Sequence, residues 1–88
     1  MNRLFQGATS FNGDLSSWDV GRVTDMSSMF SRATSFNGDL SSWDVGQVTR
    51  MVSMFYGATS FNRQLGGEWS ASTASQTHMF AGSGGSIA

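Results

Sequence analysis

The stretch ATSFNGDLSSWDVG occupies residues 8–21 and returns unchanged at residues 33–46. Sliding the chain along itself by that 25-residue step aligns Phe5, Phe30, Phe55 and Phe80 in one column. Phe11, Phe36 and Phe61 make a second column, and Leu15, Leu40 and Leu65 a third. Trp18 and Trp43 make a fourth, which Trp69 joins after a one-residue slip near Gly66–Gly67. Met1, Met26 and Met51 fall together, as do Leu4, Met29, Met54 and Met79. A fixed period of this length marks a repeat architecture, in which one unit cannot bury its own apolar face and stacked units share a core.

Within one unit the apolar spacing has two periods. Val23, Met26, Met29–Phe30 and Ala33 fall at i, i+3, i+6/7 and i+10, which predicts one face of a short helix, repeated as Val48, Met51, Met54–Phe55 and Ala58. Thr24 or Asp25 stands where a side-chain oxygen caps a helix start. Trp18 and Val20 alternate with Asp19, as Trp43 and Val45 do with Asp44, the pattern of a half-buried strand. Asn12-Gly13 and Asn37-Gly38 are turn dipeptides that tolerate positive φ. The expected fold class is therefore an α/β repeat solenoid of three to four 25-residue units, with short helices and a short parallel sheet. Residues 1–81 form the solenoid, with Phe5, Phe30, Phe55 and Phe80 in register, and Gly/Ser-rich residues 82–88 read as a tail or linker. The chain starts in mid-unit, which reads as a piece of a longer array.

The signature V-T-x-M-x-x-M-F-x-x-A-T-S-F-N-x-x-L-S-S-W-D-V, carried from Val23 to Val45 and begun again at Val48, resembles the BspA-like leucine-rich-repeat surface-protein family. Within that family it is most similar to the 25-residue variety of mycoplasma-type bacterial surface lipoproteins and of some unicellular algae. The resemblance spans residues 1 to about 80. It implies a leucine-rich-repeat-like, right-handed solenoid, an extracellular or cell-surface setting, and binding or adhesion without catalytic residues. The third unit departs from the pattern: Ser70-Ala71 replaces Asp-Val, and Thr77 lies near the methionine column.

Composition excludes several function classes. The chain has 88 residues, five Lys+Arg against six Asp+Glu, and a formal net charge of −1. That balance carries no basic patch for nucleic acid and no polybasic membrane segment. No cysteine is present, so disulfides, thiolate metal sites and a cysteine nucleophile are out. There is no run of apolar residues long enough to span a membrane. No N-x-[ST] acceptor occurs, since Asn2, Asn12, Asn37 and Asn62 are each followed two places on by Leu, Asp or Gln.

Chemistry-bearing residues are few. His78 is the sole histidine, and among sixteen serines no partner orients it as a catalytic triad requires. Asp14/Asp39 and Asp19/Asp44 form two-rung ladders that could hold calcium, but aspartates in turns commonly accept local backbone N–H groups instead. Thr9, Thr34 and Thr59 with Ser10, Ser35 and Ser60 form hydroxyl ladders, which suit ice or carbohydrate on a flat strand and loose backbone groups at a turn. The tryptophans are either a ligand platform or, with their face inward, core. The methionines at helical spacing read as core, and Arg22, Arg32 and Arg50 as solvated surface. No catalytic residue, metal or cofactor is expected.

The expected function is a non-enzymatic scaffold that binds another protein, with a glycan as a further candidate ligand. The alternative is a structural or accessory subunit that docks end to end, with itself or with others, through unpaired solenoid ends. The expected structural ladder is Phe5, Phe30, Phe55, Phe80, Phe11, Phe36, Phe61, Leu15, Leu40, Leu65, Trp18, Trp43, Trp69, Met26, Met29, Met51, Met54 and Met79.

Overall fold

A computed structural model describes residues 2–87. Its regular elements are strand β1 (Gln64–Leu65), helix α1 (Glu68–Ala71) and strand β2 (Ser86–Ile87), with β1 and β2 paired in parallel. Turns make up much of the remainder, and the 25-residue period governs how they stack. Isolated parallel bridges join Asp25 to Arg50 and Arg50 to Ser75, one unit apart each time.

No helix forms over Val23–Ala33 or Val48–Ala58. The backbone runs there as successive tight turns, closed by i−3 bonds such as Met29 N–H to Met26, Ser31 N–H to Ser28 and Ala33 N–H to Phe30. Ser28 and Arg32 sit at φ 57 and 60, and a left-handed residue every fourth place stops a right-handed helix from propagating. The unit before has Arg3 and Gly7 at positive φ, the unit after has Ser53 and Gly57, and the last has His78 and Gly82. The apolar spacing that imitates a helix thus arises from turns of nearly the same period.

The alternate N–H groups reach across to the next unit. Met26, Ser28, Phe30 and Arg32 donate to the carbonyls of Arg50, Val52, Met54 and Tyr56. Met51, Ser53, Phe55 and Gly57 donate likewise to Ser75, Thr77, Met79 and Ala81, while Arg3, Phe5 and Gly7 donate to Ser27, Met29 and Ser31. These bonds run from an earlier unit to a later one, while at the head of the row Thr49 and Arg50 donate back to the Thr24 carbonyl and Ser75 to that of Thr49. Elsewhere the direction reverses. Asn37 N–H reaches Asn12 Oδ1, Asn62 N–H reaches Asn37 Oδ1, and Ser35 Oγ reaches the Thr9 carbonyl.

The core is a set of columns. Phe5, Phe30, Phe55 and Phe80 stack at 5.4 Å between successive ring centroids, within 7° of parallel. Phe11, Phe36 and Phe61 stack at 5.9 Å, and each lies flat against the first column at 4.1–4.3 Å. Such pairs add about 0.5–1.5 kcal/mol each beyond area burial. Met26, Met29, Met51, Met54, Met79, Leu15, Leu40, Leu65, Trp43 and Trp69 are buried around them. Phe5, Phe11 and Phe80 are half-buried at the ends of their columns, and Trp18 is exposed. Met1, aligned by sequence with Met26 and Met51, lies outside the described residues.

Two local readings are revised. Trp43 and Val45 face inward around an exposed Asp44, but their segment is no strand, because its N–H groups close turns: Trp43 bonds to Leu40, and Val48 to Val45. Gly13 and Gly38 do not adopt positive φ; a Cβ on Gly38 would lie 2.8 Å from the buried Phe36 ring, so glycine is needed there for close approach. The slip at Gly66–Glu68 is taken up by α1, which follows Gly67 at φ 59 and returns Trp69 to its column. Residues 82–87 lie against the stack. Ile87 aligns with Leu65, and Gly84 N–H donates to the Phe61 carbonyl. No helix among the described residues is long and apolar enough to cross a membrane.

Candidate functional site

The tryptophan column shows how a buried polar atom is provided for. Trp43 Nε1 donates to the Leu15 carbonyl at 2.8 Å and Trp69 Nε1 to the Leu40 carbonyl at 2.9 Å, so each indole ties its unit to the one before. Trp43 and Trp69 are therefore core and not a ligand platform. Trp18, in the first unit among the described residues, is 41% exposed.

The aspartates serve the turns. Asp14, Asp19, Asp25, Asp39 and Asp44 each accept the N–H two residues on. The Ser16 hydroxyl and N–H hold the Asp14 carboxyl below its ordinary value, and Asp39 is lowered by the N–H and hydroxyl of Ser41. Asp25 is lowered chiefly by the Ser27 N–H. In Asp14, Asp25 and Asp39 these bonds favour the charged form. Two hydroxyls of the ladder are turned to the backbone: Thr34 and Ser35 both donate to the Thr9 carbonyl, and outside it Thr49 donates to that of Thr24. His78 lies exposed in the last unit, at φ 55. Arg22, Arg32 and Arg50 are exposed.

One surface feature breaks the repetition. A shallow concavity of about 320 Å³ opens over the turn row, lined by Gln6, Ser28, Ser31, Arg32, Ser53 and Tyr56. Two of these residues depart from their columns. Tyr56 is the sole tyrosine of the chain, in a column that reads Gln6, Ser31, Tyr56, Ala81, and it is 41% exposed. Arg32 holds φ 60 in a column otherwise made of Gly7, Gly57 and Gly82, all at positive φ. A non-glycine residue there costs on the order of 1–2 kcal/mol; Arg3, Ser28, Ser53 and His78 hold the same conformation as a recurring part of the turn row, whereas Arg32 alone among the described residues holds it in a glycine column. The Arg32 guanidinium carbon lies 6.0 Å from the Tyr56 ring centroid, the outer range of a cation–π contact.

The recurring residues do not mark the concavity, because a binding position in a repeat array differs from its column. The signal available was the lone tyrosine and the arginine in a glycine column. The arrangement presents an aromatic face, a planar cation and several hydroxyls around one concavity. It offers contacts for recognition and assembles no nucleophile with a base.

A family model described as Mycoplasma protein of unknown function, DUF285, matches residues 1–86. No curated protein matches the chain. No solved structure matches it either.

Proposed function

The chain belongs to this DUF285 family, and from that premise we propose that it is a non-enzymatic repeat scaffold which binds another protein through the concavity around Arg32 and Tyr56. The observation that carries the reading is Arg32, a strained non-glycine residue where three other units use glycine, placed against the exposed Tyr56. Tyrosine and arginine are the residue types over-represented among energetic centres of protein interfaces, and serine hydroxyls supply adaptable hydrogen bonds around them. The stacked units fit a leucine-rich-repeat-like solenoid, with the finer BspA-like placement and an adhesive role at a cell surface as the setting. His78, remote in sequence from the concavity, has no assigned catalytic role.

The test is selection of synthetic peptides from a random library on the folded chain, followed by affinity measurement on Tyr56→Ala and Arg32→Gly. Peptides that bind the parent and weaken tenfold or more on both variants support the reading. No enrichment, or binding indifferent to both substitutions, contradicts it.

A further inference from the structure

Charge is divided unevenly around the stack. Asp14, Asp19, Asp39 and Asp44 lie in the stretches between the turn rows, Glu68 opens α1, and Asp25 precedes its row and accepts the Ser27 N–H. Arg50 and Arg63 stand near Asp25 and Asp39 and help to keep those carboxylates ionised. The turn rows at residues 2–7, 27–32 and 52–57 hold no carboxylate and two arginines, Arg3 and Arg32. Among the described residues the Arg32 guanidinium has no ion pair and no hydrogen-bond acceptor.

Three contacts set where the Arg32 head group stands. Its backbone N–H donates to the Tyr56 carbonyl at 2.6 Å. Its stem passes over Gly57, with Arg32 Cγ 3.4 Å from the place that a Cβ would take there. Its guanidinium carbon is 6.0 Å from the Tyr56 ring centroid. Around this cation, Ser28, Ser31 and Ser53 line the concavity with hydroxyls that make no hydrogen bond among the described residues. Ser31 is only 5% exposed, and a hydroxyl so deep without a protein partner takes its hydrogen bond from what fills the concavity, solvent or ligand. The backbone offers no donor there: the N–H groups of Ser28, Ser31, Arg32, Ser53 and Tyr56 are all given to carbonyls of the stack.

We propose that the segment bound at this concavity is an acidic peptide, which sets one aspartate or glutamate carboxylate on the Arg32 guanidinium. The proposal rests on the concavity reading and adds the chemistry of its ligand. A carboxylate accepts two N–H groups of the guanidinium fork side by side, in a charge-assisted pair. The serine hydroxyls are free to donate to its remaining lone pairs, and Tyr56 gives the neighbouring peptide residue an aromatic surface. No carboxylate in the lining competes for the arginine. One arginine matches a single negative charge, and with the backbone N–H groups of the lining spent there is no nest for a dianionic phosphate. A basic peptide would meet Arg32 and Arg3 with like charge and find no carboxylate in the rows to hold it.

Peptides selected on the folded chain from a fully random library test it, each remade with its acidic residues replaced by Asn or Gln. Both forms are titrated against the parent chain, Arg32→Gln and Tyr56→Ala. The buried Trp43 and Trp69 report by fluorescence that each variant stays folded. The expected result is a shared Asp or Glu whose replacement weakens binding to the parent about tenfold or more and leaves binding to Arg32→Gln unchanged. Peptides with no shared carboxylate, or with one whose replacement costs the same on both chains, overturn the proposal. If those peptides still weaken on Tyr56→Ala, the concavity remains a binding site for other chemistry. A phosphoserine that binds through Arg32 more tightly than the acidic residue it replaces also overturns the proposal, and makes the ligand a phosphorylated segment. No enrichment at all overturns both the acidic ligand and the concavity.

Discussion

Trp43 and Trp18 occupy the same place in successive units, yet they should respond differently to substitution. Trp43→Phe removes the donor to a buried Leu15 carbonyl and should cost about 1–3 kcal/mol in urea unfolding. Trp18→Phe, on an exposed ring, should change monomer stability by less than about 0.5 kcal/mol. Equal costs would contradict the indole-to-carbonyl account. Gly38→Ala places a methyl against a fully buried phenylalanine ring that cannot move away, and should destabilise by about 1–3 kcal/mol. Arg32→Gly relieves a left-handed arginine and should leave stability unchanged or raised by up to about 1 kcal/mol, while binding at the concavity falls. An arginine kept at a strained position for binding should show that opposition; a loss of stability would show that it serves the fold.

The turn row makes a prediction of opposite sign from a helix. In a helix, Ser28→Gly would cost a few tenths of a kcal/mol or more, and Ser28→Ala would gain. At φ 57 the order reverses: Ser28→Gly should be neutral or stabilising, and Ser28→Val should cost about 1–3 kcal/mol. Thermal unfolding of the three variants decides it. The aspartate turns set the acid limit. Asp14, Asp25 and Asp39 have folded pKa values below the ordinary 3.8, so their contribution is present above that value and lost as pH falls through the lower folded values. Stability should be flat near neutral pH and decline below about pH 4, with a shallower decline in Asp39→Asn. The columns were legible in the sequence because residues 8–21 and 33–46 are identical, and identical neighbours must stack like on like. Left-handed Ser28 and Ser53 were not, because serine is no signal for positive φ and turns of this length repeat apolar residues at nearly the helical period. Of the concavity, Arg32 reads from sequence as surface, and only the break of two columns at Arg32 and Tyr56 marks the place.

At the scale of the molecule, cooperativity comes from the columns. Phe30 stacks on Phe5, Phe36 and Phe55, so Phe30→Ala should cost about 3–5 kcal/mol and disturb three units at once. That is a large share of the ~4–13 kcal/mol available to a chain of this length. The backbone bonds between units are the central claim, since core and concavity both depend on them. Scalar couplings across hydrogen bonds, recorded by NMR on labelled chain, test them directly. The account predicts couplings from the Ser28, Phe30 and Arg32 amides to the carbonyl carbons of Val52, Met54 and Tyr56. Couplings from those amides to carbonyls four residues earlier would mean that the segment is a helix after all, and would contradict it.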